Sequence, residues 1–179
     1  MNDLTRHLLA DLDLHRASVR EAVDSVPVEW RERRPEEGRW SVAEVLEHLA
    51  IIEGRVARMI AAAAETAGPE NEAFDERPTI DMPLLLDRSR RIMGPEIVHP
   101  REGLDSVAAW QRLQETRVDL RRAIEAAAGR DLRSVVRRHP ILGDLHMYQW
   151  IAVIGGHEAR HSLQIREVGE LLSAGSVPS

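Results

Sequence analysis

The sequence Gly155-Gly156-His157-Glu158-Ala159-Arg160-His161 lies inside a longer run, residues 144–172, whose apolar residues recur at helical spacing. Two histidines four residues apart in a helix stand one turn apart on the same face. From there both imidazoles can bind one metal ion from one side. The HExxH pattern also arises in helices by chance, so the stretch alone leaves open a pair of ordinary histidines at the edge of a core.

Three further segments show the same helical periodicity, at residues 2–26, 41–66 and 104–128. Ser41 and Glu44 form the S-x-x-E pattern of a capping box at the start of the second segment. No segment has the pattern of a strand. Four amphipathic helices without a sheet predict an all-α four-helix bundle. We expect one domain over residues 1–172 and a disordered tail over residues 173–179.

The connections between these segments differ in length. Residues 67–103 are interrupted by glycine and proline, with one short helix expected at 83–93. A link of this size is too long for a tight turn, and it predicts a crossover that lets the second and third long helices run parallel. Its arginines, Arg88, Arg90 and Arg91, are candidates to meet an anion, although a solvated loop is the simpler interpretation. Residues 129–143 are predicted to be a loop that ends where Asp144 caps the last helix.

Composition excludes several classes of function. The chain has 179 residues and a net charge of −6, and its 24 basic residues are all arginine. Without lysine or cysteine there can be no lysine Schiff base, thiol nucleophile, disulfide or cysteine zinc site. The sequence has no cationic block of the kind that nucleic-acid binding requires. The N-terminus lacks the apolar region of a secretory signal, and no apolar run approaches about 18 residues. We therefore expect a cytoplasmic protein that does not bind nucleic acid or span a membrane.

His48 is the natural third ligand. It lies between Val45 and Ile52 on the apolar side of the second helix, where an unpaired imidazole would be costly. His48 taken alone is explained as a buried histidine that forms a hydrogen bond. Taken with His157 and His161, it completes a set of three neutral imidazoles that leaves a coordination position open. Such a set suits Zn, Ni, Cu or Fe(II) and selects poorly among them.

Glu158 has two possible roles. In a zinc protease it would be the general base, but no glycine or histidine follows His161 at the required spacing, and only about eighteen residues remain for a later helix with a ligating glutamate. Its position about 100° from His157 around the helix favours a surface carboxylate or one that supports the ligands. A catalytic role as proton acceptor stays open. Glu44, Glu47 and Glu53 are candidates to hydrogen-bond to the ligands, and we expect solvated charges there instead.

Three segments in order resemble a known family. They are RWSVAEVLEHL at residues 39–49, HPILG at residues 139–143, and Trp150 followed by HEARHSLQI at residues 157–165. They are similar to the W-S-x-x-E-x-x-x-H-L, H-P-x-x-G and W…H-x-x-R-H-x-x-Q-I motifs of the DinB/YfiT-like family of metal-binding four-helix bundles. The resemblance covers nearly the whole chain.

The resemblance implies an up-down-down-up bundle with a long link between helices two and three. It implies that His48, His157 and His161 bind one divalent transition metal, with Zn, Ni, Fe and Mn as the candidates. Characterised relatives use a low-molecular-weight thiol as S-transferases or thiol-dependent isomerases, and homodimers are common. Arg160 and Gln164 match the motif, so we expect them to contact a cofactor or to orient the site, with packing between helices as the alternative.

Three functional hypotheses follow. The first is a metal-dependent, thiol-using S-transferase or isomerase that acts on a small electrophile. The second is a metal-binding or stress-linked bundle without catalysis. The third is a metal-dependent hydrolase in which Glu158 accepts a proton. An open ligand set facing a roomy pocket would favour the first hypothesis, and a buried, fully ligated metal would favour the second.

Overall fold

Four long helices carry the fold in the computed structural model, which describes residues 3–70, 77–89, 96–101 and 103–175. The helices and strands, in chain order, are α1 (Asp3–Asp24), α2 (Val42–Thr66), α3 (Met82–Leu86), α4 (Ser106–Ala126), β1 (Val136–His139), β2 (Gly143–His146) and α5 (Met147–Ala174). Helices α1, α2, α4 and α5 form the bundle, and the short α3 lies in the crossover. The predicted four-helix bundle is confirmed.

Two apolar clusters, one at each end of the bundle, give the directions of the helices. The first joins the starts of α1 and α5 to the ends of α2 and α4. The second joins the ends of α1 and α5 to the starts of α2 and α4. Representative members are Leu4, Ile60, Ile124 and Met147 in the first cluster and Val23, Val42, Ala109 and Leu172 in the second. Helices α1 and α5 therefore run opposite to α2 and α4, which confirms the up-down-down-up order.

The predicted capping box begins α2, and an aspartate cap begins α4. Ser41 Oγ accepts a hydrogen bond from the backbone N–H of Glu44, and the Glu44 carboxylate accepts one from the N–H of Ser41. Asp105 caps α4 by accepting a hydrogen bond from the N–H of Ala108 at 2.8 Å. Each cap satisfies backbone donors that a helix start leaves without an intrahelical partner. These caps fix the starts of α2 and α4.

The expectation of no strand was wrong for residues 136–146. Strands β1 and β2 form an antiparallel hairpin that pairs Val136 with His146 and His139 with Gly143. Gly143 has a φ of +77°, a conformation that glycine adopts without the steric cost other residues meet. Because the hairpin takes residues up to His146, α5 begins at Met147 and not at Asp144. His146 is the N-cap of this helix.

Helix ends differ from the predicted bounds by a few residues elsewhere. The short crossover helix ends at Leu86, although the prediction ran to residue 93, and residues 90–95 of that segment lie outside the described part of the chain. Helix α5 continues to Ala174, two residues into the predicted tail, and residues 176–179 lie outside the described part. None of the helices in the described ranges is both long and apolar enough to cross a membrane.

Candidate metal centre

Helices α2 and α5 bring the three predicted histidines together. His48 Nε2 lies 3.2 Å from His157 Nε2, and His161 Nε2 lies 3.1 Å from the same atom. One ring nitrogen from each residue falls within 4.8 Å of the other two. Within the described ranges, no further histidine, aspartate or glutamate joins this group. The three imidazoles can therefore hold one metal ion through a single side of its coordination sphere.

Hydrogen bonds fix which nitrogen of two rings carries the proton. His48 Nδ1 lies 2.7 Å from the carbonyl oxygen of Val98, and His161 Nδ1 lies 2.8 Å from Oε1 of Gln164. A carbonyl oxygen only accepts, so each Nδ1 donates and each Nε2 keeps its lone pair. Both lone pairs face the space beside His157 Nε2. This arrangement suits a cation, because a ligating histidine commonly donates from its other nitrogen to an oxygen.

The electrostatic setting keeps the rings neutral. Burial lowers the pKa of His157 and of His161 well below the usual value, and the neighbouring histidines add to the effect. Burial also lowers the pKa of His48, against the opposing hydrogen bond to Val98. A neutral imidazole is the form that binds metal, so protons compete little with an ion at neutral pH.

The histidines line one wall of a cavity of about 1330 Å³. Apolar side chains from α2 and α5 form another part of its lining, among them Ile52, Met59 and Trp150. The crossover and the β1–β2 hairpin complete the walls through Val98 and His139. A small molecule in this cavity would therefore contact the histidine cluster directly.

Glu158 does not line this cavity. Its Oε1 accepts a hydrogen bond from Arg16 Nε at 2.7 Å, and its Oε2 accepts one from Arg117 Nη2 at 3.0 Å. Burial raises the pKa of this carboxyl group, and the two arginines oppose that shift. These contacts give Glu158 a structural role between helices. Its predicted role as a proton acceptor in catalysis stays a prediction, and no contact to the histidine cluster supports it.

Gln164 and Arg160, the two residues that match the family motif beside the histidines, both line the cavity. Gln164 orients His161 through the hydrogen bond to Nδ1. Arg160 donates from Nη1 to the carbonyl oxygens of Leu85 and Asp87, so it ties α3 to α5. Direct contact of either residue with a cofactor stays a prediction.

The expectation that the α2 glutamates are solvated was wrong. Glu44, Glu47 and Glu53 are each no more than 3% exposed. Each is paired with an arginine, since Glu44 binds Arg34, Glu47 accepts from Arg112 at 2.8 Å, and Glu53 accepts from Arg16 at 2.7 Å. None hydrogen-bonds to the histidine cluster. Helix periodicity does not identify such partners, because all three arginines lie outside α2.

Two residues of the site were missed as functional candidates. Trp40, noted only as part of the first motif, contacts the His48 ring with centroids 4.8 Å apart. His139, noted only as part of a motif, has an Nδ1 that accepts hydrogen bonds from the N–H groups of Ile141 and Leu142. Its Nε2 therefore carries the proton in the neutral ring. The motif positions were the available signal, since both residues belong to the segments that carry the family resemblance.

The two glycines before His157 allow a close approach by other elements. A Cβ on Gly156 would lie 2.4 Å from Leu85 Cδ2 and 2.9 Å from Met82 Sδ, both on α3. A Cβ on Gly155 would lie 2.6 Å from Cδ2 of His15 on α1. Glycine in a helix interior lowers stability by about 1 kcal/mol relative to alanine. Close packing explains why glycine nevertheless occupies both positions. Gly156 lets α3, and Gly155 lets α1, pack against the turn that carries the histidines.

Comparisons with known proteins agree with this description. The family model of the DinB superfamily matches residues 11–165. Uncharacterized protein YuaE of Bacillus subtilis (strain 168) is 31% identical over 139 residues, which cover 77% of this chain and 82% of YuaE. The crystal structure of TT2238, a four-helix bundle protein, superposes with a TM-score of 0.60 at 18% identity and covers 91% of this chain and 98% of TT2238. The first two matches confirm the family predicted from the three motifs, and the third supports the fold.

Proposed function

This chain belongs to the DinB superfamily, and on that premise we propose that it is a divalent-metal-dependent enzyme with a low-molecular-weight thiol as cosubstrate. Its reaction would be an S-transfer to a small electrophile or a thiol-dependent isomerisation. The observation that carries the proposal is that the three histidines line a cavity of about 1330 Å³. Pockets for small molecules typically measure about 300–1,000 Å³, so this one has room for a thiol and an electrophile together.

His48, His157 and His161 would hold the metal, and Zn, Ni, Fe(II) and Mn are the candidates. A divalent ion held there would supply Lewis acidity that lowers the pKa of a thiol beside it. The chain itself contributes ring orientation through Val98 and Gln164. In the S-transfer, a sulfur lone pair forms a new C–S bond, the leaving group departs with its bonding electrons, and the thiol proton passes to solvent.

A metal-binding bundle without catalysis is the second candidate. The burial of His48 and His161, which are 7% and 6% exposed, favours it because structural metal sites are closed to substrate. The hydrolase hypothesis has less support, since both carboxylate oxygens of Glu158 are bound to arginines. We further propose a homodimer in the cytoplasm that acts on small molecules and binds neither nucleic acid nor membrane. Sedimentation velocity tests the dimer directly.

A cobalt-substituted protein tests the function. Glutathione, cysteine and coenzyme A would each be added to untagged protein loaded with Co(II), and the thiolate-to-cobalt charge-transfer absorption recorded. We expect at least one thiol to produce the band in the wild type and none in His48→Ala. The same thiol should then react with monochlorobimane faster in the presence of the loaded protein. A metal-loaded protein that neither changes its spectrum nor accelerates the reaction with any thiol would support the non-catalytic candidate instead.

A further inference from the structure

The cavity beside the histidines concentrates positive charge. The chain as a whole carries a net charge of −6, yet seven arginines and a single glutamate, Glu167, are among the residues that line this cavity. Such an imbalance on a low-dielectric concave surface attracts anions, because field lines are focused into the cleft. The periodicity of one helix does not explain this excess of arginine, since the arginines come from the α1–α2 connection, α2, the crossover, the hairpin and α5.

The one cavity carboxylate is already paired. Glu167 forms ion pairs with both Arg39 and Arg88. Arg160 is engaged with the carbonyl oxygens of Leu85 and Asp87. Glu167 neutralises only one of these three positive charges, and the other four cavity arginines add further positive charge.

Two pairs of arginines remain, one on α2 and one on the hairpin. Arg55 and Arg58 lie one to two turns beyond Ile52 on α2, and neither makes an ion pair with any residue in the described ranges. Arg137 donates to the carbonyl oxygen of its neighbour, Val136, at 2.9 Å. Arg138 is 82% exposed and reaches Asp144 only at 3.8 Å. Their guanidinium groups keep most of their donors available to a ligand.

The surface around these pairs is apolar. Ile52, Met59, Trp150 and Ile154 contribute to the cavity lining, together with the histidine cluster. The cavity thus offers arginines near its α2 and hairpin walls, an apolar surface, and the metal-binding nitrogens. Guanidinium groups bind carboxylate and phosphate oxygens in pairs, with strong charge-assisted hydrogen bonds.

We propose that this cavity selects small organic anions, and that Arg55 and Arg58 of α2, with Arg137 and Arg138 of the hairpin, hold their carboxylate or phosphate groups. The ligand would carry these groups on an apolar or lightly polar skeleton that reaches the histidine cluster. The proposal rests on the proposed function in that it takes the cavity as the substrate site. It narrows the substrates to acidic molecules.

Isothermal titration calorimetry of the metal-loaded, full-length protein tests this with two probes that contain no thiol. Tricarballylate carries three carboxylates, and glycerol 2-phosphate carries one phosphate. Their uncharged counterparts, trimethyl tricarballylate and glycerol, serve as ligand controls. We expect at least one of the two anions to bind with a dissociation constant of about 1 mM or tighter, and the uncharged molecules not to bind. The tighter anion identifies the group that the arginines prefer.

Two double variants locate the binding. Arg55→Gln/Arg58→Gln and Arg137→Gln/Arg138→Gln are each expected to weaken anion binding by roughly tenfold or more, since each removes two charged donors. The control Arg6→Gln/Arg122→Gln removes two exposed arginines outside the cavity and should bind as the wild type does. All three change exposed side chains, and circular dichroism verifies that they fold.

The result of the anion-binding test can be distinguished from the result of the test of the proposed function. The same loss on removal of Arg55 and Arg58 is expected in a His48→Ala background, where the metal centre is impaired. If neither anion binds the wild type, or if the cavity variants bind as tightly as the control, the proposal is overturned whatever the metal content. Anion binding with no thiol chemistry would sustain the proposal and overturn the proposed S-transfer.

Discussion

Arg16 Nε donates a hydrogen bond of 2.7 Å to Glu158 Oε1, which joins α1 to the helix residue directly after His157. Arg16 also reaches Glu53 on α2 at 2.7 Å, and Arg117 on α4 binds both glutamates. The two arginines and two glutamates are each no more than 8% exposed, and together they connect all four long helices. This neutral polar layer lies between the two apolar clusters and fixes the rotation of α5, and with it the direction in which His157 and His161 point.

Glu158→Gln is expected to destabilise the protein by about 3–5 kcal/mol, because it leaves two buried arginines short of one negative charge. Urea unfolding at neutral pH measures the change. Glu170→Gln, an exposed position on the same helix, is the matched control and should stay within about 0.5 kcal/mol of the wild type. A Glu158→Gln protein of unchanged stability that had lost activity would contradict the structural role and support the catalytic one.

Gly156→Ala should destabilise the protein by up to about 2 kcal/mol, since the new methyl group would overlap the buried Leu85 side chain, and the cost of repacking it exceeds the gain of about 1 kcal/mol in helix propensity. Gly54→Ala is the control within α2. Its Cβ would meet Thr116 at an ordinary 3.5 Å, so the better helix propensity of alanine should stabilise by up to about 1 kcal/mol. Thermal unfolding of both variants gives the comparison. Equal effects of the two substitutions would show that α3 does not pack on Gly156 as described.

Stability of the metal-free protein should depend on pH through the histidine cluster. Burial holds the pKa of His157 and His161 well below the usual value of about 6.5, so the unfolded chain binds protons that the folded chain does not. The free energy of unfolding should therefore fall as pH drops below about 6.5, by at most about 1.4 kcal/mol per pH unit for each histidine. Above that range the two histidines contribute no slope.

Urea unfolding at several pH values measures this slope. His157→Asn/His161→Asn removes both groups, and its unfolding free energy should fall less steeply than that of the wild type between about pH 6.5 and pH 5. Identical slopes for the two proteins would contradict neutral, buried rings at these positions.

The histidine positions and the bundle could be predicted because local patterns encode them. The four-residue spacing of His157 and His161 places both on one face of a helix. The S-x-x-E pattern that begins at Ser41 predicts the cap of α2. The charged layer could not be predicted as a network, because Arg16 and Glu158 are 142 residues apart in the chain. A signal was nevertheless present, since Arg16 stands between Leu12 and Val19 at helical spacing, where an apolar residue is expected.

The hairpin could not be predicted from the sequence for a different reason. Each strand has only four residues, too few for an alternating pattern to stand out from a loop. Its pairing also depends on Gly143 at positive φ and on the His139 ring that accepts hydrogen bonds from the turn. The positions of Arg137 and Arg138 could not be predicted for the same reason, because the hairpin carries both residues to the cavity.

The central claim is that three histidines from two distant segments bind one metal ion. Elemental analysis of untagged protein, purified and then loaded with Zn, Ni, Mn or Fe(II), tests it most directly beside His48→Ala and the control His7→Ala, a histidine of α1 outside the cluster. We expect one tightly held divalent ion per chain in the wild type and in the control, and its loss in His48→Ala. A wild-type protein that cannot be loaded with any of these metals would contradict the account.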